Sequence, residues 1–449
     1  MKKAWNKDNI FIIPVGRDFG FLHEDTVNLI YSPLAGKFLL MKKTEAKELQ
    51  FDLEEGKRTD LTDVLTSYKF PWERKGYHRD CRDYTTLYIL LNQKCNFSCS
   101  YCYAAAGRSS TELTFPKIKS MLDCFFSSEE SREKKRTITF VGGGEPLLSW
   151  QLLTQCVQYA ESMAAASKYA LSINIISNTS LFDDEKIAFL RQHGIAMICS
   201  FDILPEIQDA QRGHYELVAN NLKKLLSAGI HVHIQATITP SAIPHMKKMV
   251  EEVSCCYPAV KQINMEMVWD ASVMRDQVSA AQYFNDFYDA YRAARAAARE
   301  KNLQISNSFV NCAKIVRDHY CGGAYVLTPE GRLSACPYVS SPADIGYEAM
   351  VYGECTPDGL LLNKEKMQHF YAWNATNRAA CKDCFAKWNC GGGCPNAARN
   401  YSAEVLTEIC RHTRAYLRRE LLEQLAQNFY NKHKKTLEFF LHEQIKEKE

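Results

Sequence analysis

The sequence lacks an excess of charge of either sign: 55 lysines and arginines stand against 52 aspartates and glutamates, a net charge of +3. That near-balance leaves no basic footprint for nucleic acid or for an anionic membrane. Long apolar runs are also missing. The start, MKKAWNKDNIFIIPVGRD, has no uninterrupted apolar core of signal-peptide length, and no later stretch approaches a membrane span, so a cytoplasmic protein is expected. Internal repeats and low-complexity tracts are absent too. With 449 residues and a hydrophobic fraction of 46%, the chain is long enough for two or three globular domains. What it does have in quantity is cysteine. Eighteen cysteines in a reducing compartment are better explained as metal ligands, where they cluster, than as disulfides.

From about residue 85 to 270 six β-rich runs follow one another: TTLYILL, RTITFV, ALSINIIS, AMICS, HVHIQATIT and QINMEMV. Between them lie helical patterns such as HYELVANNLKKLLSAG and MKKMVEEVSCCY, with apolar residues three and four apart. Alternating strands and helices predict an α/β fold with a parallel sheet, open or partly closed as a (β/α)6 TIM-like barrel, whose functional groups sit on loops at the carboxyl ends of the strands. The boundaries read as a small α/β domain over 1–80, a barrel core over 81–280, a linker helix over 281–311, a cysteine- and glycine-rich domain over 312–411, and a C-terminal helix over 412–449. In the lead domain, NIFIIPV and TVNLIYS read as strands, and AKELQF and TDLTDVLTSY as helices.

The first strand runs into NQKCNFSCSYCY, a C-x3-C-x2-C triplet of Cys95, Cys99 and Cys102. A 4Fe-4S cluster takes four thiolates, so three leave one iron open for a ligand. Structural zinc wants four protein ligands, and no fourth cysteine or histidine stands close by. Strand RTITFV runs into GGGEPLL, where missing side chains let the backbone of Gly143 and Gly144 come close to a ligand and Glu145 adds a carboxylate. These features resemble the radical S-adenosylmethionine superfamily. The resemblance implies that the open iron takes the amino and carboxylate groups of S-adenosylmethionine, and that reduction yields methionine and a 5′-deoxyadenosyl radical. It further implies that Tyr101 packs near adenine, and that Gly143, Gly144 and Glu145 bind the methionine amino group. Asn178 would contact the ribose, with Thr179 in place of the usual glycine. Ser200 and Asp202 resemble a Ser-x-Asp-Gly pattern whose glycine is here Ile203, and Arg212 would pair with the cofactor carboxylate.

Farther on, Cys321 is followed by nine residues, Gly331, four residues and Cys336, and then by Cys381, Cys384, Cys390, Cys394 and Cys410 in a C-x2-C-x5-C-x3-C-x15-C pattern. This resembles the SPASM domain of radical enzymes that mature peptides and proteins, which carries two auxiliary 4Fe-4S clusters and makes three clusters in all. Eight thiolates are needed and the pattern supplies seven; Cys312 is the best eighth and Cys355 its rival, and if neither binds, one auxiliary iron is open. By resemblance, Cys312, Cys321, Cys336 and Cys394 would hold the nearer cluster, and Cys381, Cys384, Cys390 and Cys410 the farther. Read without the family, Cys381, Cys384, Cys390 and Cys394 also suit zinc, which would leave three distal cysteines without a purpose. Cys81, Cys124, Cys156, Cys199, Cys255 and Cys256 read as packing thiols.

The resemblance implies an oxidative crosslink, a thioether or a carbon–carbon bond, within a ribosomally made precursor peptide whose leader binds the first domain by strand addition. An electron donor such as flavodoxin or ferredoxin is implied as a further partner, and neither nucleic acid nor membrane is. Two alternatives stand beside it, a sulfatase-maturing enzyme that forms formylglycine and a zinc-binding interaction module. The sulfatase-maturing branch has an aspartate after the cysteine equivalent to Cys336, where this chain has Pro337. No residue is identified as a catalytic base.

Overall fold

The computed structural model describes residues 5–7, 9–68, 84–127, 134–321 and 323–446. The chain opens with a four-stranded antiparallel sheet, β1 (Trp5–Lys7), β2 (Ile10–Pro14), β3 (Val27–Ser32) and β4 (Lys37–Lys42), in that spatial order. Strand alternation gives it two apolar faces. Ile10, Ile12 and Ile30 pack on α1 (Lys43–Glu54) and α2 (Asp60–Thr66) through Ala46, Leu49, Leu53 and Leu65. Phe11, Ile13, Val27 and Leu29 face the other way, onto Phe385, Leu417, Leu421 and Leu441 of the C-terminal region. The expected strands and helices of this segment are present, and β1 and β4 add an edge on either side. Cys81 lies outside the described residues.

Among the described residues the main sheet has eleven strands. Its core is six parallel strands in chain order, β5 (Thr86–Ile89), β6 (Lys135–Phe140), β7 (Ala170–Ser177), β8 (Ala196–Ser200), β9 (Val232–Ile238) and β10 (Gln262–Met267), one in each of the six β-rich runs. Helices α3 (Phe115–Phe126), α4 (Trp150–Ser167), α5 (Asp184–Gln192), α6 (Pro205–Gln211), α7 (Tyr215–Ser227) and α8 (Met246–Cys256) form the crossovers. A parallel sheet covered on both faces reads as a continuous apolar run, and these strands do not. In β9, Val232, Ile234, Ala236 and Ile238 are buried in one core with Val218, Leu222, Val250 and Val253 of the helices, while His233, Gln235 and Thr237 alternate with them and are only half-buried. Strand β10 repeats this with Ile263, Met265 and Met267 buried, and Gln262, Asn264 and Glu266 half-buried on the opposite, polar face.

The segment read as a linker helix, α9 (Gln277–Glu300), is a crossover as well: it leads to β11 (Gln304–Ser306), which pairs in parallel with β10. Its apolar stripe, Tyr283, Phe284, Phe287, Tyr288 and Tyr291, is buried, with Tyr288 and Tyr416 stacked at 4.0 Å. Beyond it β12 (Tyr325–Leu327) pairs in parallel with β5, and β13 (Arg332–Ser334), β14 (Val351–Thr356) and β15 (Gly359–Leu362) continue antiparallel. The cysteine-rich region therefore extends the main sheet, with β11 and β15 as its two edges. The C-terminal tail forms helices Ala403–His433 and Leu437–Lys446, and no described helix is long and apolar enough to cross a membrane.

Candidate functional site

The loop after β5 places Cys95, Cys99 and Cys102 along one cavity of about 690 Å³, together with Gln93, Lys94, Phe97, Ser98 and Arg108. Two guanidinium groups reach these sulfurs: Arg108 Nη2 donates to Cys102 Sγ at 3.3 Å and Arg212 Nη1 to Cys99 Sγ at 3.9 Å. Burial pushes the Cys99 and Cys102 thiols up, so as bare thiols they stay protonated. A bound metal reverses this by deprotonating its ligands. Buried Gln93 Oε1 and Arg108 Nε have no protein partner, and both residues line the same cavity. Among the described residues no three histidine, cysteine or acidic side chains converge as they would on a single ion. The chemistry of the donor set, three cysteine sulfurs on one loop, is that of a 4Fe-4S cluster with one iron left open.

The loop after β6 is joined to the cysteine loop by backbone hydrogen bonds. Gly144 N donates to Asn92 O at 2.9 Å and Glu145 N to Lys94 O at 2.7 Å. A Cβ on Gly144 would sit 1.7 Å from Lys94 O, so this glycine is required by the close approach of two chains. Gly143 has a looser reason, since its Cβ would meet the end of the Gln93 side chain at 2.2 Å. The Glu145 carboxylate is buried and accepts from Leu147 N (3.1 Å), Ser177 Oγ (2.8 Å) and Asn178 N (2.8 Å). It thereby ties the loops after β6 and β7 together. Burial holds its carboxyl above the usual range, against the lowering effect of those hydrogen bonds and of Arg212.

Asn178 is occupied within the protein, donating through Nδ2 to Asn96 Oδ1 at 2.9 Å and accepting from Ser180. It thus braces the cysteine loop. At the next two strand ends the departures from glycine leave a visible trace. Thr179 has φ +67° and Ile203 φ +71°, the left-handed backbone that β-branched residues avoid. The conformation persists because the surroundings hold it. Thr179 donates through Oγ1 to Cys199 Sγ and its carbonyl accepts from Asn221, while Ile203 is fully buried.

Asp202 organises the far side of the pocket. Fully buried, it accepts from Tyr101 Oη at 2.7 Å, Gln211 Nε2 at 2.9 Å, Thr237 N at 2.9 Å and Arg212 Nε at 3.3 Å. Burial opposes the Arg212 charge, but Tyr101, Asp202 and Cys99 outweigh it and hold the guanidinium above its ordinary value. The same guanidinium lies 5.3 Å from the Tyr101 ring centre. Ser200 stands half-buried on the polar face at the end of β8. Sequence reasoning passed over Asn92, Gln93, Asn96 and Arg108; the polar NQKCN run around the first cysteine was the available signal.

The distal cysteines fall into two neighbourhoods. Cys336 is pushed up by burial and then by Cys321 and Cys394. Cys390 is pushed up by burial and then by Cys312, Cys410 and Cys384, and Cys381 by burial and then by Cys384. Cys312 thus stands beside the Cys381, Cys384, Cys390 and Cys410 group. Cys355 belongs to the core of the main sheet, where Cys124 is the first charge to act on it. Tyr103 and Tyr338 bridge the gap between the cysteine loop and Cys336, their rings 4.3 Å apart. Both keep about two fifths of their surface accessible (42% and 44%), yet burial pushes both phenols up.

Residues 89–253 match the family described as the Radical SAM superfamily. The sporulation killing factor maturation protein SkfB of Bacillus subtilis (strain 168) is 26% identical over 168 residues, 36% of this chain. That alignment spans 38% of the relative's length. Among solved structures, native anSMEcpe with bound AdoMet is similar with a TM-score of 0.60 at 14% identity, over 75% of this chain and 98% of that one. Streptococcus suis SuiB bound to precursor peptide SuiA gives 0.52 at 12% identity, over 89% and 98%. At such identities the likeness is one of fold, and it extends well beyond the matched domain.

Proposed function

We propose that this chain, which carries a radical SAM domain over residues 89–253, is a radical SAM/SPASM maturase that forms an oxidative crosslink, thioether or carbon–carbon, in a ribosomally made precursor peptide. The observation that carries the reading is the three-thiol loop on a cavity, with Arg108 on one sulfur and the Asp202-anchored Arg212 on another. Held by Cys95, Cys99 and Cys102, a 4Fe-4S cluster with S-adenosylmethionine at its open iron supplies, on reduction, a 5′-deoxyadenosyl radical that takes a substrate hydrogen. Around it we assign Arg212 to the cofactor carboxylate, the backbone of Gly143 and Gly144 with Glu145 to the amino group, Asn178 and Ser200 to the ribose side, and Tyr101 to the adenine side. Asp202 orients Tyr101 and Arg212 together. The six parallel strands form, in this reading, a partial (β/α)6 barrel around the pocket.

Cys381, Cys384, Cys390 and Cys410 are assigned to the farther auxiliary cluster, and Cys321, Cys336 and Cys394 to the nearer, which keeps an open iron because Cys312 stands beside the farther group. A redox-active metal in this position can accept the electron that bond formation releases, which zinc cannot. Domain limits of 1–80, 81–280, 281–311, 312–411 and 412–449 accompany the assignment. The lead sheet receives the leader peptide, and its edge β4, paired on one side with β3, offers open backbone groups for an added strand. SuiB is solved with a precursor peptide bound, which supports a peptide as the substrate class. A flavodoxin or ferredoxin in the cytoplasm supplies the electron. Pro337 in place of the aspartate of the sulfatase-maturing branch disfavours formylglycine formation.

Anaerobic iron and sulfide analysis with electron paramagnetic resonance tests the reading: about twelve irons per chain are expected. About four would remove the auxiliary clusters, and zinc without iron would make the chain a binding module. Replacing Cys95, Cys99 and Cys102 by alanine should abolish 5′-deoxyadenosine release, and release at the normal rate would overturn the proposal.

A further inference from the structure

The polar face of the parallel sheet carries a carboxylate for which the cofactor pocket has no use. At the half-buried positions of β5 to β10 the side chains are neutral or imidazole, except for Glu266 near the carboxyl end of β10. Its register partner on β9 is Thr237, whose backbone N–H donates to Asp202. Glu266 therefore stands one strand away from the network that holds Tyr101 and Arg212. The charge of Glu266 reaches Tyr338, whose phenol is pushed up by burial first and by Glu266 next, ahead of Cys336 and Cys394. Tyr338 in turn packs on Tyr103, the residue after Cys102. The carboxylate thus stands near the carboxyl end of the polar face, one strand from the Asp202 network.

Its own contacts hold it in place without neutralising it. Ser308 donates through its backbone N–H to both carboxylate oxygens at 3.2 Å, and through Oγ to Oε2 at 2.7 Å. Among the described residues no lysine, arginine or histidine forms an ion pair with it. An acidic side chain that is fixed by neutral donors, half-buried on a polar strand face and lacking a counter-ion is arranged to take up a proton.

We propose that Glu266 is the proton acceptor of the bond-forming step on the peptide. The assignment rests on the function proposed above. Joining a substrate X–H group to a substrate carbon, X–H + H–C → X–C, releases two protons and two electrons in all. One hydrogen atom, a proton with an electron, leaves the carbon for the nucleoside radical derived from S-adenosylmethionine. The second electron would be taken by an iron–sulfur cluster that the distal cysteines Cys321, Cys336 and Cys394 would hold. The second proton leaves X–H, and Glu266 takes it. Burial raises the Glu266 carboxyl above the usual range, against the lowering effect of Ser308, which makes the carboxylate a better base. This position also answers the departure at Pro337, since the base comes from β10 in place of the residue after Cys336.

The decisive variant is Glu266→Gln, whose amide oxygen still accepts from Ser308 while the basic oxygen is lost. The probe is a synthetic peptide selected because the wild-type enzyme crosslinks it, incubated with reconstituted enzyme, S-adenosylmethionine and dithionite. Expected is near-normal release of 5′-deoxyadenosine with crosslinked product, lighter by two hydrogens, reduced by about a hundredfold or more, and partial recovery in Glu266→Asp. Iron content and circular dichroism should match those of the wild type. Crosslinking by Glu266→Gln at the wild-type rate would overturn the assignment, as would a parallel loss of cleavage and crosslinking. A wild type that cleaves no S-adenosylmethionine overturns the proposed function, and Glu266 with it.

Discussion

Gly144→Ala should loosen the junction between the cysteine loop and the loop after β6. The new Cβ would lie 1.7 Å from Lys94 O, 2.5 Å from Lys94 C and 2.4 Å from Asn92 Oδ1. The Lys94 carbonyl cannot swing away cheaply, because it accepts from Glu145 N at 2.7 Å, and the neighbouring bond from Gly144 N to Asn92 O is 2.9 Å. Losing both bonds costs about 2 kcal/mol at about 1 kcal/mol each. Forcing a methyl group into close-packed backbone adds about 1–3 kcal/mol. The sum, about 3–5 kcal/mol, corresponds to local opening more frequent by a factor of about a hundred to a few thousand. Hydrogen–deuterium exchange of the segments 90–97 and 142–148 reads this directly, with Gly143→Ala as the control. There the clash is with the end of the Gln93 side chain, which can rotate at the expense of its bonds to Ser340, so a smaller effect is expected. Unchanged exchange in both segments of Gly144→Ala would refute the close-approach argument.

Asp202→Asn should destabilise the fold by about 3–5 kcal/mol and weaken S-adenosylmethionine binding, because it leaves the nearly buried Arg212 without its counter-charge; chemical unfolding and equilibrium binding measure the two. Arg108→Met removes the donor to Cys102 Sγ. A positive donor stabilises the more negative, reduced cluster, so its loss should lower the midpoint potential by about 60 mV, equivalent to about 1.4 kcal/mol; a potentiometric titration followed by electron paramagnetic resonance would show no shift if the contact is absent. His412, enclosed beside Phe284 and Arg411, is pushed down to about 4 by burial and then by Arg411. The unfolded chain binds this proton near pH 6.5 and the folded chain does not, so stability should fall as pH drops from 6.5 towards 4, by at most about 3 kcal/mol. In His412→Gln that slope should flatten, and an unaltered pH–stability curve would contradict the assignment.

Much of the site was legible because it is local. The six parallel strands announce themselves as short β-branched runs, and the triplet Cys95, Cys99 and Cys102 is a matter of spacing within a single loop. Strands β12 to β15 were missed because they are short and lie among glycines and cysteines, so their pairing with β5 comes from contacts distant in sequence. For α9 the periodicity marked a helix but not its place, which is set by the aromatic stripe packing under the C-terminal helix. Thr179 and Ile203 were read as departures from a glycine pattern. Only the backbone reveals that both keep the glycine-like conformation, because hydrogen bonds and burial around them over-determine it.

The sequence by itself determined the local pattern: three thiols spaced within one loop, and the strand ends that follow them in order. Tertiary structure decided which groups share a cavity. It set Arg108 and Arg212 on two of the three sulfurs, used Glu145 and Asn178 as braces between loops, placed Cys312 beside Cys390, and fixed Glu266 against Ser308. Ligand spacing within a loop is a property of neighbouring residues, whereas the meeting of β10, the cysteine loop and the distal cysteines requires long loops to close and a common core to pack, and no local pattern records that.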